Sequence, residues 1–352
     1  MIFSKKEIWF VDIGSSRLKI MSMRSHPKPV IKKLALIDYY QTGLVSRPED
    51  LSANIIVQIL KDTMRALKCN VHLIRAILSS PGTIVRTLEI PLVSEDDLKS
   101  VIRYNISGLV PYSAETAEFD YTIWQTDHEN KVQTVIVSIV PPEEINQLTE
   151  ILNRVNLEPI LLNMDLLAIY NGCALFKDWD DQTMAFVHIG ARRTQIIYFT
   201  PDKPPFFHVI NNGADDITND IAKTFQTSYL NAEELKITQK PSKSAKPVER
   251  SSVFNRFCQR LVSQITAALH DIEISRQLQT TTAPLKRIIL TGGGAPTREL
   301  AFLLAQQMLV PVKMWNPFIS PDVEIAVPEL NQSWGWHFLP TLGLACQEGL
   351  CA

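Results

Sequence analysis

The chain has no C-x-x-C pair, no apolar run approaching 18 residues and no surplus of positive charge. Each absence excludes a class of function. Cys69, Cys173, Cys258, Cys346 and Cys351 are scattered, which speaks against a zinc site or a dithiol redox centre. An odd, dispersed set of thiols in a large chain fits a reducing compartment. Without a long apolar run, no segment is expected to cross a bilayer as a helix. A formal net charge of −2 gives no general attraction to nucleic acid or to an acidic membrane surface. The apolar stretch after Lys5 and Lys6 is broken at Asp12, too soon for a secretory signal. The expectation is a cytoplasmic protein that reaches a membrane only through a partner. What is present is 352 residues, 45% hydrophobic and 20% charged, an ordinary globular composition with length for two lobes.

The strongest positive signal is an internal repeat. Residues 187–199 (V-H-I-G-A-R-R-T-Q-I-I-Y-F) echo residues 11–23 (V-D-I-G-S-S-R-L-K-I-M-S-M) at an offset of 176, half the chain. Each copy reads as strand, glycine turn, strand, a turn whose N–H groups suit phosphate oxygens. Two copies at this spacing predict a duplicated, two-lobed protein that grips a ligand between its lobes.

Between the repeats, β-rich runs predict strands at 33–40, 73–79, 84–90, 119–125 and 131–140. Apolar residues at helical spacing predict helices over 51–67, after the capping box Ser94–Asp97, after Pro141-Pro142, and over 163–176. The segment 83–157 is a compact α+β unit inserted into the first lobe. In the second half the pattern predicts a strand at 206–210 and helices over 213–225, 253–279, 297–309 and 339–348, with a strand at 286–291. The Pro/Ser/Lys-rich stretch 239–252 reads as a mobile loop.

Three glycine turns carry the candidate chemistry. In the first, Gly14 allows close approach, Ser15 and Ser16 offer donors, Lys19 adds a positive charge, and Asp12 suits a metal-bound water near a phosphate. In the second, Gly190, Ala191 and Arg192 follow His188, which stands where the first copy has an acid. Neutral imidazole is a poor magnesium ligand. The third, Gly292-Gly293-Gly294, joins a strand to a helix and can lie flat against a planar group or cradle a phosphate.

This ordered set resembles the superfamily of actin, the seventy-kilodalton heat-shock chaperones and the sugar kinases. Within it the chain most resembles the PilM family of type IV pilus assembly proteins. Ser80-Pro81-Gly82 with Ile84, Ile90 and Pro91, then Ile102-Arg103, Val110-Pro111-Tyr112 and Phe119-Asp120-Tyr121, follow that family's pattern. So do Asn163-Met164-Asp165, Gly213-Ala214-Asp215-Asp216-Ile217-Thr218, Ala232-Glu233-Glu234-Leu235-Lys236, Glu273–Gln279 and Asn316-Pro317-Phe318. The resemblance implies an α/β, actin-like (ribonuclease H-like, duplicated) two-lobed fold with an inserted FtsA-type α+β subdomain. Residues 1–82 and 158–182 would form the first lobe, with the helix 339–352 packing back on it. Residues 83–157 would be the insertion, and 183–338 the second lobe with a subdivision at about 211–270.

The resemblance also implies an ATP and Mg2+ site. Ser15, Ser16 and Lys19 would face the phosphates, with Asp12 reaching the metal through a water. Gly14, Gly190, Ala191 and Arg192 would hold the rest of the phosphate tail. Glu233 and Lys236 would lie by ribose and adenine, Gly213 and Asp215 at the pocket edge, and Gly292, Gly293 and Gly294 behind the adenosine. The implied partners are the cytoplasmic tail of a PilN-like inner-membrane protein, held in the groove beside the insertion, and other pilus platform proteins. Nucleic acid is not among them, and neither is direct insertion in the membrane. His188 in place of an acid, and Ala214 in place of a glycine, point to holding ATP with at most slow hydrolysis. A small-molecule kinase would need a general base, for which Asp165 is the one placed candidate. An FtsA-like filament protein would need a basic amphipathic C-terminal helix, which the tail 343–352 lacks.

Overall fold

The structure, a computed structural model, describes residues 7–24, 29–179, 182–238, 247–279, 283–328 and 330–347. Its frame is two sheets of matching topology. The first contains β1 (Glu7–Ile13), β2 (Arg17–Arg24), β3 (Val30–Asp38), β4 (Leu73–Leu78), β8 (Glu158–Met164) and β14 (Glu324–Ile325), in the order β14-β3-β2-β1-β4-β8. The second contains β9 (Met184–Ile189), β10 (Thr194–Phe199), β11 (Phe206–Ile210), β12 (Arg287–Thr291) and β13 (Val312–Met314), in the order β11-β10-β9-β12-β13. In each, the opening strand runs antiparallel to the next and parallel to the crossover strand. The sequence repeat falls on β1–β2 and β9–β10, and the fold repeats with it.

The helices follow their apolar stripes. α1 (Ala53–Ala66) is capped by Ser52, which accepts from the Ile55 N–H, and buries Ile59, Leu60 and Met64. α5 (Ala214–Phe225), α6 (Tyr229–Thr238), α7 (Pro247–Gln279) and α8 (Arg298–Met308) clothe the second sheet. After β4 the chain builds a three-stranded sheet, β5 (Ile84–Pro91), β7 (Val132–Val140) and β6 (Glu118–Asp127), in the order β5-β7-β6. α2 (Glu95–Ile106) covers it with Leu98, Ile102 and Ile106.

Four expectations change. α3 (Pro142–Asn153), read as the end of the inserted unit, buries Leu148 and Leu152 in the core of the first sheet instead. The stretch 163–176 is not one helix: β8 ends at Met164, α4 (Asp165–Gly172) follows, and a 3-10 turn closes it. Only Asn163 and Met164 of that stretch belong to the strand, which pairs in parallel with β4. The expected loop 239–252 shortens, because α7 already begins at Pro247; residues 239–246 lie outside the described residues. The third strand begins earlier than read, at Val30.

The last helix, α9 (Leu339–Gln347), is buried against α4 from Leu339 to Ala345; residues 348–352 lie outside the described residues. Phe176 meets Phe186 and Trp315 edge-on, each at 5.4 Å between centroids, tying the connector to the second lobe. Such edge-to-face pairs add about 0.5–1.5 kcal/mol beyond their buried area.

Candidate functional site

The two hairpin turns close alike. The Gly14 N–H donates to the Arg17 carbonyl at 3.1 Å, and the Gly190 N–H to the Arg193 carbonyl at 2.8 Å. Across each hairpin the equivalent positions pair in register, Asp12 with Lys19 and His188 with Gln195. The hairpins face one another across a cleft of about 370 Å³.

The cleft gathers Asp12, Gly14, Ser15, Ser16, Lys19, Gly190, Ala191, Arg192, Asp215, Glu233, Lys236, Gly293 and Gly294. Gly213 and Gly292 stand behind its wall. The Gly213 N–H is taken by Asp216 Oδ2 at 2.8 Å, as the start of α5 requires. Gly292 holds φ +91°, and a Cβ there would lie 2.5 Å from the Ile189 carbonyl oxygen, so glycine is needed for the turn itself. Gly293 is small for another reason: the His337 ring is pressed against it, and both residues line the cleft.

Sequence reasoning passed over Arg17, Arg193, Gln195 and His337, which line the cleft too. The repeat held a signal for two of them, since Arg17 and Arg193 are equivalent positions. Each reaches the opposite lobe. Arg17 Nη2 lies 3.3 Å from Glu233 of α6 and 2.9 Å from Asp38. Arg193 Nη2 lies 2.7 Å from Asp165 of α4, and its other Nη donates to the Ser80 carbonyl. One ion pair from each hairpin thus ties the lobes together across the cleft. His337 had no motif to betray it.

Most charges here are already spoken for. Lys19 Nζ sits 2.9 Å from Asp12 Oδ2. Burial lifts the Asp12 pKa above the usual carboxylate range, against the pull of Lys19. Lys236 is buried and donates to Thr218 Oγ1 at 2.8 Å and to the Ala214 carbonyl at 3.2 Å, and pairs with Glu233 at 2.6 Å. Burial would raise Glu233, but Lys236, Thr218 and Arg17 together hold it below its ordinary value. Tyr229 donates to Asp215 Oδ1 at 2.7 Å, and burial raises the Asp215 pKa. Burial, then the nearby Lys19, pushes His188 down to about 3. His337 is likewise held neutral, by burial and by Arg17, Lys19, His188 and Lys236. Arg192 is exposed at the rim, where its charge is available to an anion.

Four buried atoms in the cleft wall have no hydrogen-bond partner: Asp12 Oδ1, His188 Nδ1, Gln195 Nε2 and Asp215 Oδ2. Each unmade bond of this kind costs about 1–3 kcal/mol. Among the described residues no three His, Cys, Asp or Glu side chains come together to hold a metal.

A second hollow, of about 560 Å³, lies between β6, an edge of the three-stranded sheet, and β8, an edge of the first sheet. Phe119, Ile123, Trp124, Leu161 and Leu167 give it an apolar lining, and Glu118 and Asp120 are its charged residues. Two open strand edges with apolar pockets suit an extended peptide.

A sequence profile described as Type IV pilus assembly protein PilM matches residues 10–348. The chain belongs to the PilM family. A solved PilM-PilN type IV pilus biogenesis complex shares the PilM fold at TM-score 0.80 with 22% identity, over 99% of both chains. The ethanolamine utilization protein EutJ of Carboxydothermus hydrogenoformans matches at TM-score 0.53 and 13% identity, over 97% of this chain and 90% of that one. MreB 5 of Spiroplasma citri bound to AMPPNP matches at TM-score 0.50 and 11% identity, over 98% and 99%. The chain therefore has the actin-like architecture, and no helix among its described residues is long and apolar enough to cross a membrane.

Proposed function

We propose that this member of the pilus assembly family is an ATP-holding scaffold at the inner-membrane platform, docking the N-terminal tail of a PilN-like protein. The observation that carries the nucleotide half is the pair of glycine hairpins facing each other across one cleft, with Lys19 and Arg192 at hand for phosphate. Glu233, Lys236 and Asp215 would border the nucleoside, against the flat turn at Gly293 and Gly294. The residues fit magnesium carried in by the phosphates: Asp12 Oδ1 is an orphaned buried acceptor that a metal-bound water would satisfy. Bound magnesium would offset phosphate charge in a cleft where most cations are already paired.

Fast hydrolysis is not expected. His188 replaces the second acid and stays neutral, so it cannot orient water as a carboxylate would. A kinase is disfavoured as well. Asp165, the candidate base, accepts from Arg193, from Ser79 Oγ at 3.0 Å and from the Leu166 N–H at 2.8 Å, which leaves it no free role. α9 is buried rather than presented to a membrane.

The partner half rests on the groove between β6 and β8. Its apolar lining and acidic pair suit an extended, apolar segment bearing positive charge. Titration with a synthetic tail peptide of a PilN-like partner tests it. Saturable binding is expected, lost in Ile123→Asp; peptide binding that ignores this substitution would refute the groove assignment. Localisation beside the membrane then follows from the partner rather than from this chain.

A further inference from the structure

Away from both the cleft and the groove, one edge of the second lobe is left uncovered. α8 buries Leu300, Leu303, Leu304 and Met308 in the core it shares with α7 and the second sheet. Its other side carries Phe302, Gln306 and Leu309, spaced by four and three residues and so on one helix face. Phe302 is 65% exposed and Leu309 87%. Single exposed apolar residues are ordinary, but two large ones on one face mark an interaction surface.

Leu309 carries a second cost. It ends α8 at φ +56°, with its N–H closing on the Ala305 carbonyl at 3.0 Å. This is the left-handed position that helices usually give to glycine. An L side chain there costs about 1–2 kcal/mol. A strained leucine that is almost fully exposed gains nothing inside its own chain.

The edge continues into β13. The connector Leu309–Pro311 leads straight into this strand, the last of its sheet, which pairs with β12 alone among the described strands. Met314 on it is 45% exposed. Open strands are commonly guarded by charge. Here residues 300–312 contain no Asp, Glu, Lys or Arg. The charge of Lys313 is taken up by Asp178 and by the Phe176 ring, 5.4 Å away at its centroid.

Charge decides the occupant. A two-fold contact sets one patch against a copy of itself, so a charged face repels its partner and a neutral face does not. An open strand edge also pairs antiparallel with its own copy across such an axis. A neutral, apolar helix face beside an open strand therefore suits a second copy of this chain. A foreign partner would find no charge along residues 300–312 to fix its register.

We propose that α8 and β13 form a homodimer interface that carries the second sheet across a two-fold axis. Phe302 of each copy packs on Leu309 of the other, and Gln306, between them, meets its own copy at the axis. Residues 298–314 are fewer than the about 20–30 per side of a standard complex, so the dimer is weak and forms at micromolar concentrations. None of these residues lines the cleft or the groove, so the dimer needs neither ligand.

Sedimentation velocity on the full chain, across about 1–200 μM, tests this. The wild type should pass from monomer to dimer. Leu309→Gly relaxes the backbone and removes the side chain. It should weaken the dimer about tenfold or more, with the thermal midpoint in dilute solution unchanged or higher. Gln306→Glu and Gln306→Lys should each be monomeric, and an equimolar mixture of the two should dimerise again.

A wild type that stays monomeric throughout would leave the face to another partner and overturn the proposal. So would a Leu309→Gly chain that dimerises like the wild type, or one whose dilute midpoint falls, since the leucine would then serve its own fold. Dimers of Gln306→Glu alone, or a Glu and Lys mixture that stays monomeric, would overturn the two-fold contact itself.

Discussion

At the scale of single residues, the site is built from groups whose protonation is set by burial. His188 is the clearest. Its folded pKa of about 3 lies below the ordinary 6.5, so between these values the folded state binds fewer protons than the unfolded one. The stability this gives is complete above the unfolded value and is lost as the pH falls through the window. Each unit of depression is worth about 1.4 kcal/mol. Asp12 and Asp215, raised by burial, act in the opposite sense nearer the carboxylate range. The thermal midpoint should therefore drop from about pH 7 to about pH 5, and His188→Gln should flatten that drop. An unchanged slope in the variant would contradict the burial argument. His188→Asp restores the acid of the first copy and should raise slow ATP turnover; a flat rate would show that this position does not limit hydrolysis. These residues were legible because glycine turns and a repeat are written in adjacent positions. His337 was not, because it meets Gly293 only through the return of the chain into α9.

At the scale of elements, the hairpins do more than cradle. Arg17 and Arg193 tie the lobes together from equivalent places, with Arg193 and Asp165 only 14% and 9% exposed at their side chains. Removing one member of such a buried pair leaves an uncompensated charge, which costs about 3–5 kcal/mol. Arg193→Ala should lose that much in denaturant unfolding, while Arg193→Met with Asp165→Leu should recover most of it. Equal losses in the single and double variants would mean that the pair holds nothing together. The strands of both hairpins were readable from their β-rich runs. β8 was not, because a short apolar run does not distinguish a buried parallel strand from the start of a helix. β13 and β14, three and two residues long, carry no readable pattern at all.

At the scale of the whole molecule, one wall separates cleft from groove. α9 follows His337 and brings Pro340 to the cleft, and its other end brings Gln347 to the groove. α4 does the same, with Asp165 at the cleft and Leu167 and Tyr170 at the groove. The two helices are in intimate contact: a Cβ on Gly343 would overlap the Ala168 carbonyl. Gly343→Ala should therefore weaken ATP and tail peptide together, whereas Ile123→Asp should weaken the peptide alone. If Gly343→Ala left ATP affinity intact, the shared wall would have no part in the nucleotide site. The duplication of the fold was visible in the sequence, and the wall was not. It depends on the last helix returning to the first lobe, a pairing that no local pattern encodes.

The central claim is that the cleft between the unequal hairpins holds ATP. Calorimetric titration of Mg-ATP into the wild type, Asp12→Ala and Gly293→Asp tests it most directly. Asp12→Ala removes the acceptor for a metal-bound water, and Gly293→Asp drives a side chain into His337 at the floor of the cleft. The account predicts saturable binding of a single ATP by the wild type, weakened about tenfold or more in each variant. No binding by the wild type, or unchanged affinity in both variants, would contradict it.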